Sequence, residues 1–178
     1  MASALSNLSE YNEENIPSAV KMSFGIVVAE WNRHITHALL DGCVQTLLRH
    51  GATEENIHIA RVPGSFELTA GAVVLGTELR LDAVICLGCV IKGETNHDDY
   101  INNAVAAGLT HLGIQTGKPH IFGLLTVLNE QQALDRAGGR HGNKGVEAAV
   151  TAIRMAALKL SLRNEVKKIG FQASPGIL

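Results

Sequence analysis

Four short runs of aliphatic and β-branched residues constrain this chain more than any other feature: FGIVVAE at 24–30, IHIARV at 57–62, AVICLGCVI at 83–91 and HIFGLLTV at 120–127. The runs are nearly continuous, whereas a strand with one wet face would alternate apolar and polar positions, so these strands are buried on both faces. Helical patterns separate and follow them at about 33–50, 65–80, 97–116, 130–138 and 145–163, with Gly51 and Gly117 placed as C-terminal stops. Strands joined through helices pair in parallel and need cover on both sides. The expected fold class is therefore α/β: a three-layer αβα sandwich with a four-stranded parallel sheet and helices on both faces.

Two helices carry apolar stripes at 3.6-residue spacing: Ile101, Ala104, Val105, Gly108 and Leu112 on the third, and Val146, Ala149, Val150, Ile153, Ala157 and Leu160 on the last. Both are expected to be core faces. Residues 1–20 lack apolar periodicity and are read as a flexible N-terminal arm, residues 21–163 as a single domain, and residues 164–178 as a tail in which Pro175 cannot continue a helix. Of the 178 residues 46% are hydrophobic but 4% aromatic, so the core must be mostly aliphatic. Charged residues make up 18%, against roughly 25% in ordinary soluble domains. This shortage of surface charge predicts an apolar face that meets another subunit.

Fifteen basic against seventeen acidic residues give a net charge of -2, which argues against a nucleic-acid partner. No apolar run is long enough for a signal peptide or a membrane span, so a cytoplasmic location and no membrane partner are expected. Cys86 and Cys89 form a C-x-x-C inside a strand, where residues three apart point to opposite faces. With Cys43 they are read as buried core thiols, not as a redox pair or half a zinc site.

Ligands of open parallel sheets bind beyond the carboxyl ends of the strands, where loops and helix N-termini converge. The loop after the third run, Lys92-Gly93-Glu94-Thr95-Asn96-His97, has a glycine for a tight turn and amides at Glu94 and Thr95 that can face an anion before a helix. It is no Walker A loop, because Glu94 stands where lysine is needed, and no G-x-G-x-x-G occurs. A plain turn capped by Thr95 or Asn96 is the structural alternative. His97 falls in the first helical turn, where the dipole favours a neutral, proton-accepting ring; the carboxylates Asp98 and Asp99 are accounted for by the same dipole. Arg136, Arg140 and Lys144 lie among glycines in a basic stretch suited to an anionic ligand, although Arg136 could instead serve a helix C-terminus. Trp31, the single tryptophan, follows the first strand and could stack on a heterocycle or pack in the core. Ser65 is a natural N-cap; Glu67 suits the dipole, or the hydroxyls of a polyol. His34 and His37 have metal-like spacing but no third ligand near them, and are read as surface or partner contacts.

Together, Trp31-Asn32, Val62-Pro63-Gly64-Ser65-Phe66-Glu67-Leu68, Gly88 through His97, Ile121-Phe122-Gly123 and Arg136-Ala137-Gly138 through Gly142-Asn143-Lys144-Gly145 resemble the 6,7-dimethyl-8-ribityllumazine synthase family over about residues 22–163. The resemblance implies a flavodoxin-like fold. It also implies condensation of 5-amino-6-(D-ribitylamino)uracil with 3,4-dihydroxy-2-butanone 4-phosphate, releasing phosphate and water in the penultimate step of riboflavin synthesis. Carried over by position, Trp31 stacks on the pyrimidine, Ser65, Phe66 and Glu67 hold the ribitylamino-uracil, and Cys89, Val90 and Ile91 line the same pocket through backbone groups. Glu94 and Thr95 match the phosphate cradle and His97 the proton-transfer residue. Phe122, Arg136 and Lys144 match residues supplied by the neighbouring subunit, Arg136 binding the phosphate. Amine attack, Schiff-base formation, phosphate loss and ring closure call for no cofactor and no metal. As partners the resemblance implies the two small-molecule substrates, self-association as a homopentamer or a 60-subunit icosahedral particle, and a functional association with riboflavin synthase. A non-catalytic lumazine or flavin carrier, or a shell protein of the same fold, is the alternative. Trp31 stands where the family commonly has phenylalanine and Thr69 where proline is frequent. Glu94 fits a phosphate cradle only with its side chain turned away.

Overall fold

In the computed structural model, which describes residues 7–166, the apolar runs become four strands: β1 (Phe24–Ala29), β2 (Ile57–Val62), β3 (Ala83–Ile91) and β4 (His120–Val127). All pair in parallel in the order β2-β1-β3-β4, with Phe24 opposite both Ile57 and Ala83 and Ile85 opposite Ile121. Among the described residues the α-helices are α1 (Arg33–Arg49), α2 (Leu68–Glu78), α3 (His97–Thr116), α4 (Glu130–Leu134) and α5 (Lys144–Val166). The chain moves from β1 outward to β2 and then back past β1 to β3. The direction of winding thus reverses between β1 and β3, which is where ligands enter such sheets.

The expected αβα sandwich is present, and alternation along β1 and β3 divides its core into two layers. Ile26, Val28, Ile85, Leu87 and Cys89 pack with Ile35, Leu39, Cys43 and Leu47 of α1 and with Ala149, Ala152 and Ile153 of α5. Val27, Ala29, Val84 and Cys86 pack on the other face with Leu68 and Ala72 of α2 and with Val105 and Leu109 of α3. All three cysteines are free and buried, with Cys86 and Cys89 in opposite layers as read. Gly145 sits where α5 begins against α1; a Cβ there would lie 1.9 Å from the Leu39 carbonyl oxygen. Gly51 and Gly117 take left-handed φ values of 96° and 56° at helix ends, as expected of stops.

Several expectations need correction. The helix placed at 130–138 ends at Leu134, and the glycine-rich stretch forms a two-stranded antiparallel ribbon of β5 (Ala137–Gly139) and β6 (Gly142–Asn143). Gly138 and Gly142 take φ values of 118° and 77°, a region open to glycine and closed to a helix. The helix placed at 65–80 opens with one 3-10 turn, Ser65–Glu67. The stripe on α3 is a core face only in part: Val105 and Leu109 are buried, while Ala104 is exposed. The α5 stripe is as expected, with Ala149, Val150 and Ile153 buried.

Residues 7–20, read as an arm, are attached to the domain. The Leu8 amide donates to the His141 carbonyl at 2.7 Å, the Asn143 amide donates to Ser9 Oγ at 2.8 Å, and Ala19 is fully buried. The tail beyond residue 166, including Pro175, lies outside the described residues. No helix among the described residues is long and apolar enough to cross a membrane.

Candidate active site

The turn after β1 is fixed from both sides. Asn32 adopts a left-handed conformation (φ 57°), the only non-glycine residue with positive φ among the described residues, and its Nδ2 donates to the Cys89 carbonyl at 3.1 Å. The Trp31 amide donates to the Pro63 carbonyl at 3.1 Å. These two bonds tie the turn to the ends of β3 and β2 and leave the Trp31 ring outside the core, 72% exposed. Core packing, the structural alternative for this residue, is thereby excluded. Strain held at one asparagine next to a cavity is a common mark of a site whose geometry matters.

Beside Trp31 lies a cavity of about 570 Å³, within the usual range for small-molecule sites. Trp31 and Asn32 come from the turn after β1, Gly64 to Glu67 from the segment after β2, and Cys89 to Ile91 from the end of β3. Gly93, Thr95, His97, Asp98 and Ile101 come from the next loop and the start of α3. Phe66 offers a second exposed aromatic ring, 60% accessible. The floor is close-packed because β3 has glycine at position 88, where a Cβ would lie 2.8 Å from Ser65 Oγ and 2.6 Å from a Leu124 methyl.

The capping roles expected of these residues are not taken up. Ser65 opens the 3-10 turn without capping it; its residue is 6% exposed and its Oγ has no partner among the described residues. No side chain caps α3, so Thr95 and Asn96 are not accounted for by that service. Gly93 differs from its reading as a tight-turn residue: its φ is not left-handed, and a Cβ there would meet nothing within 4 Å. The fold of the chain itself makes no demand for glycine at that point, and the open space over the backbone can admit a ligand. The exposed loop amides and the N-terminus of the 20-residue α3 are suited to an anion. Burial pushes the Cys89 thiol up to about 11 and Cys86 up to about 12, so Cys89 lines the cavity as an inert neutral group.

Glu94, Phe122, Arg136 and Lys144 do not line this cavity within one chain. Glu94 is exposed. Phe122 lies on β4, the sheet edge, 38% exposed. Arg136 Nη1 donates to the Gln132 carbonyl at 3.1 Å. Lys144 Nζ donates to Glu147 Oε1 at 2.6 Å. His34 meets Glu130 at 2.7 Å, joining the starts of α1 and α4. Asn32 and Asp98 line the cavity but were not picked out from sequence as ligand residues. An asparagine directly after a strand was the available signal for Asn32, because asparagine tolerates the left-handed region.

The geometry provides an exposed ring for stacking, a carboxylate at Glu67 for hydroxyl donors, amides at a helix start for an anion, and an imidazole at His97 for moving a proton. Comparison with known proteins gives this arrangement a context. The family model described as 6,7-dimethyl-8-ribityllumazine synthase matches residues 21–160. The chain is 57% identical over 155 residues to a 6,7-dimethyl-8-ribityllumazine synthase of Parabacteroides distasonis, covering 87% of this chain and 97% of the relative. It is 55% identical over 157 residues to that of Cytophaga hutchinsonii, covering 88% and 98%. It is 46% identical over 178 residues to that of Flavobacterium psychrophilum, covering 100% and 92%. Matched over most of its length by the family model and by these relatives, the chain belongs to the 6,7-dimethyl-8-ribityllumazine synthase family.

Proposed function

We propose that the protein is a transferase that condenses 5-amino-6-(D-ribitylamino)uracil with 3,4-dihydroxy-2-butanone 4-phosphate, forming 6,7-dimethyl-8-ribityllumazine and releasing phosphate and water. The observation that carries this reading is that Trp31, Glu67, Thr95 and His97, from the segments that follow three different strands, line one cavity. Trp31 stacks on the pyrimidine, Ser65, Phe66 and Glu67 hold the ribityl side, and Cys89 to Ile91 border the ring through backbone groups. Thr95 and the Gly93–Glu94 backbone receive the phosphate, and His97 moves protons during imine formation and ring closure.

The exposed Val73 and Val74 of α2, Ile114 of α3 and Phe122 of β4 support self-association; in this reading the assembly is a homopentamer in which a neighbour adds Phe122, Arg136 and Lys144 to this cavity. Sixty subunits closing into an icosahedral shell is the larger assembly of the same kind. Residues 21–163 form the catalytic domain in this reading. Three free thiols suit a reducing compartment, and we place the protein in the cytoplasm.

Incubation with both substrates should produce lumazine absorbance. His97→Ala should slow turnover by about 10²- to 10⁴-fold without abolishing it. Ligand binding without product would instead identify a carrier, and full turnover by the variant would remove His97 from the mechanism.

A further inference from the structure

Asp98 shares the first turn of α3 with His97, yet helix chemistry does not explain its placement. Its side chain is 12% exposed, with Oδ2 3.6 Å from Lys92 Nζ. Its other oxygen, Oδ1, is buried without a hydrogen-bond partner among the described residues. A first-turn carboxylate that only answered the dipole would stay in water or accept from the helix's own amides. A buried carboxylate oxygen with no donor is strongly disfavoured, and the bound state is expected to supply one.

Asp98 lines the same cavity as Trp31, Ser65 and His97, and Ser65 Oγ is a second buried oxygen there with no partner. Two more such atoms, Thr69 Oγ1 and Asn102 Oδ1, are not on the cavity wall and do not compete for a ligand in it. A ligand that suits Asp98 must present hydrogen-bond donors. Phosphate oxygens are acceptors of the same charge and are repelled from this position, whereas the amino and ring N–H groups of a diaminouracil are donors.

Resting on the proposed function, we infer that Asp98 is a further substrate-binding residue: its free carboxylate oxygen accepts a hydrogen bond from an N–H group of the aminouracil substrate, beside His97. Lys92 faces Oδ2, so Oδ1 is the oxygen without a donor, and a small rotation of the carboxylate on binding brings it to the ligand. The phosphate of the second substrate then lies away from Asp98, toward the Gly93–Thr95 backbone. One residue pair on one helical turn thus divides the work, with Asp98 fixing the amine-bearing ring and His97 moving protons.

Asp98→Asn tests this in the assembled, full-length protein. The substitution keeps the shape; Lys92 favours the remaining oxygen, so the new NH2 group meets the ligand's N–H, donor against donor. The KM for 5-amino-6-(D-ribitylamino)uracil should rise by about 10- to 100-fold, the range expected for a lost charge-assisted hydrogen bond, with the KM for the phosphosugar within about twofold. Trp31 is the single tryptophan, so quenching of its emission by the uracil substrate alone gives a dissociation constant that should weaken in parallel. Equal changes in both KM values, or an altered particle mass with unchanged uracil affinity, would overturn the inference in favour of a structural or subunit contact. A wild-type protein that makes no lumazine defeats the proposed reaction itself; a working wild type with an unaffected Asp98→Asn variant defeats only this assignment.

Discussion

Gly93 and Gly145 are the same residue type under opposite constraints. At Gly145 a methyl group would lie 1.9 Å from the Leu39 carbonyl oxygen and 2.7 Å from its carbon, and both are backbone atoms that no side-chain rotation can move. Gly145→Ala must push α5 away from α1, and urea unfolding should show a loss of about 3 kcal/mol, the upper end of ordinary overpacking. At Gly93 the same methyl meets nothing within 4 Å, so Gly93→Ala should leave stability within about 0.5 kcal/mol of wild type. A similar midpoint for both variants would contradict this contrast. Neither glycine's role could be read along the chain, because crowding is decided by what folds against a residue. Asp98 was obscured for the same reason: its proximity to a helix start is visible in sequence, whereas the orphaned oxygen exists only once Lys92 and the cavity wall are in place. Trp31 was legible in part: its place directly after a buried strand put it at the ligand edge, whereas core packing is excluded only by the exposure of its ring in the fold.

The strands and long helices were legible because each buries a run or stripe long enough to repeat its period. The ribbon of β5 and β6 was not, being three and two residues long and shaped by positive-φ glycines. Its anchor is Asp135, whose side chain is 9% exposed. The carboxylate accepts from Gln131 Nε2 at 3.0 Å and from Arg140 Nε at 2.7 Å, while the Asp135 backbone carbonyl accepts from the His141 amide. The Gln131 hydrogen bond chiefly holds this carboxyl below its ordinary value; burial opposes the shift and Arg140 assists it. A depressed carboxyl pKa contributes stability above the unfolded value, about 3.9, and loses it as pH falls through the folded one. Asp135→Asn should therefore lower the urea midpoint at neutral pH and flatten its fall below about pH 4. An unchanged acid limb would show that the ribbon draws no stability from this charge.

The whole molecule leaves large apolar side chains uncovered on several elements, among them Val74, Ile114, Leu128 and Leu158, each more than half exposed. With 18% charged residues, such surface is what the composition anticipated. Assembly would cover it and bring Arg136 and Lys144 to a cavity that one chain leaves without them. Light scattering should therefore give a particle of about 90 kDa, or about 1 MDa for a closed shell, and no 18.9-kDa species. A monomer with full turnover would break the link between assembly and site.

The buried thiols give the molecule a clock. Burial keeps Cys86 and Cys89 protonated far above neutral pH and pushes Cys43 up in the same direction, so a thiol reagent meets almost no thiolate while the structure stays closed. The pace of alkylation then records how often each layer opens: Cys43 times the α1–α5 side, Cys86 the α2–α3 side, and Cys89 the wall of the cavity. A bound ligand that closes the cavity would slow the third timer while the other two keep their own rates.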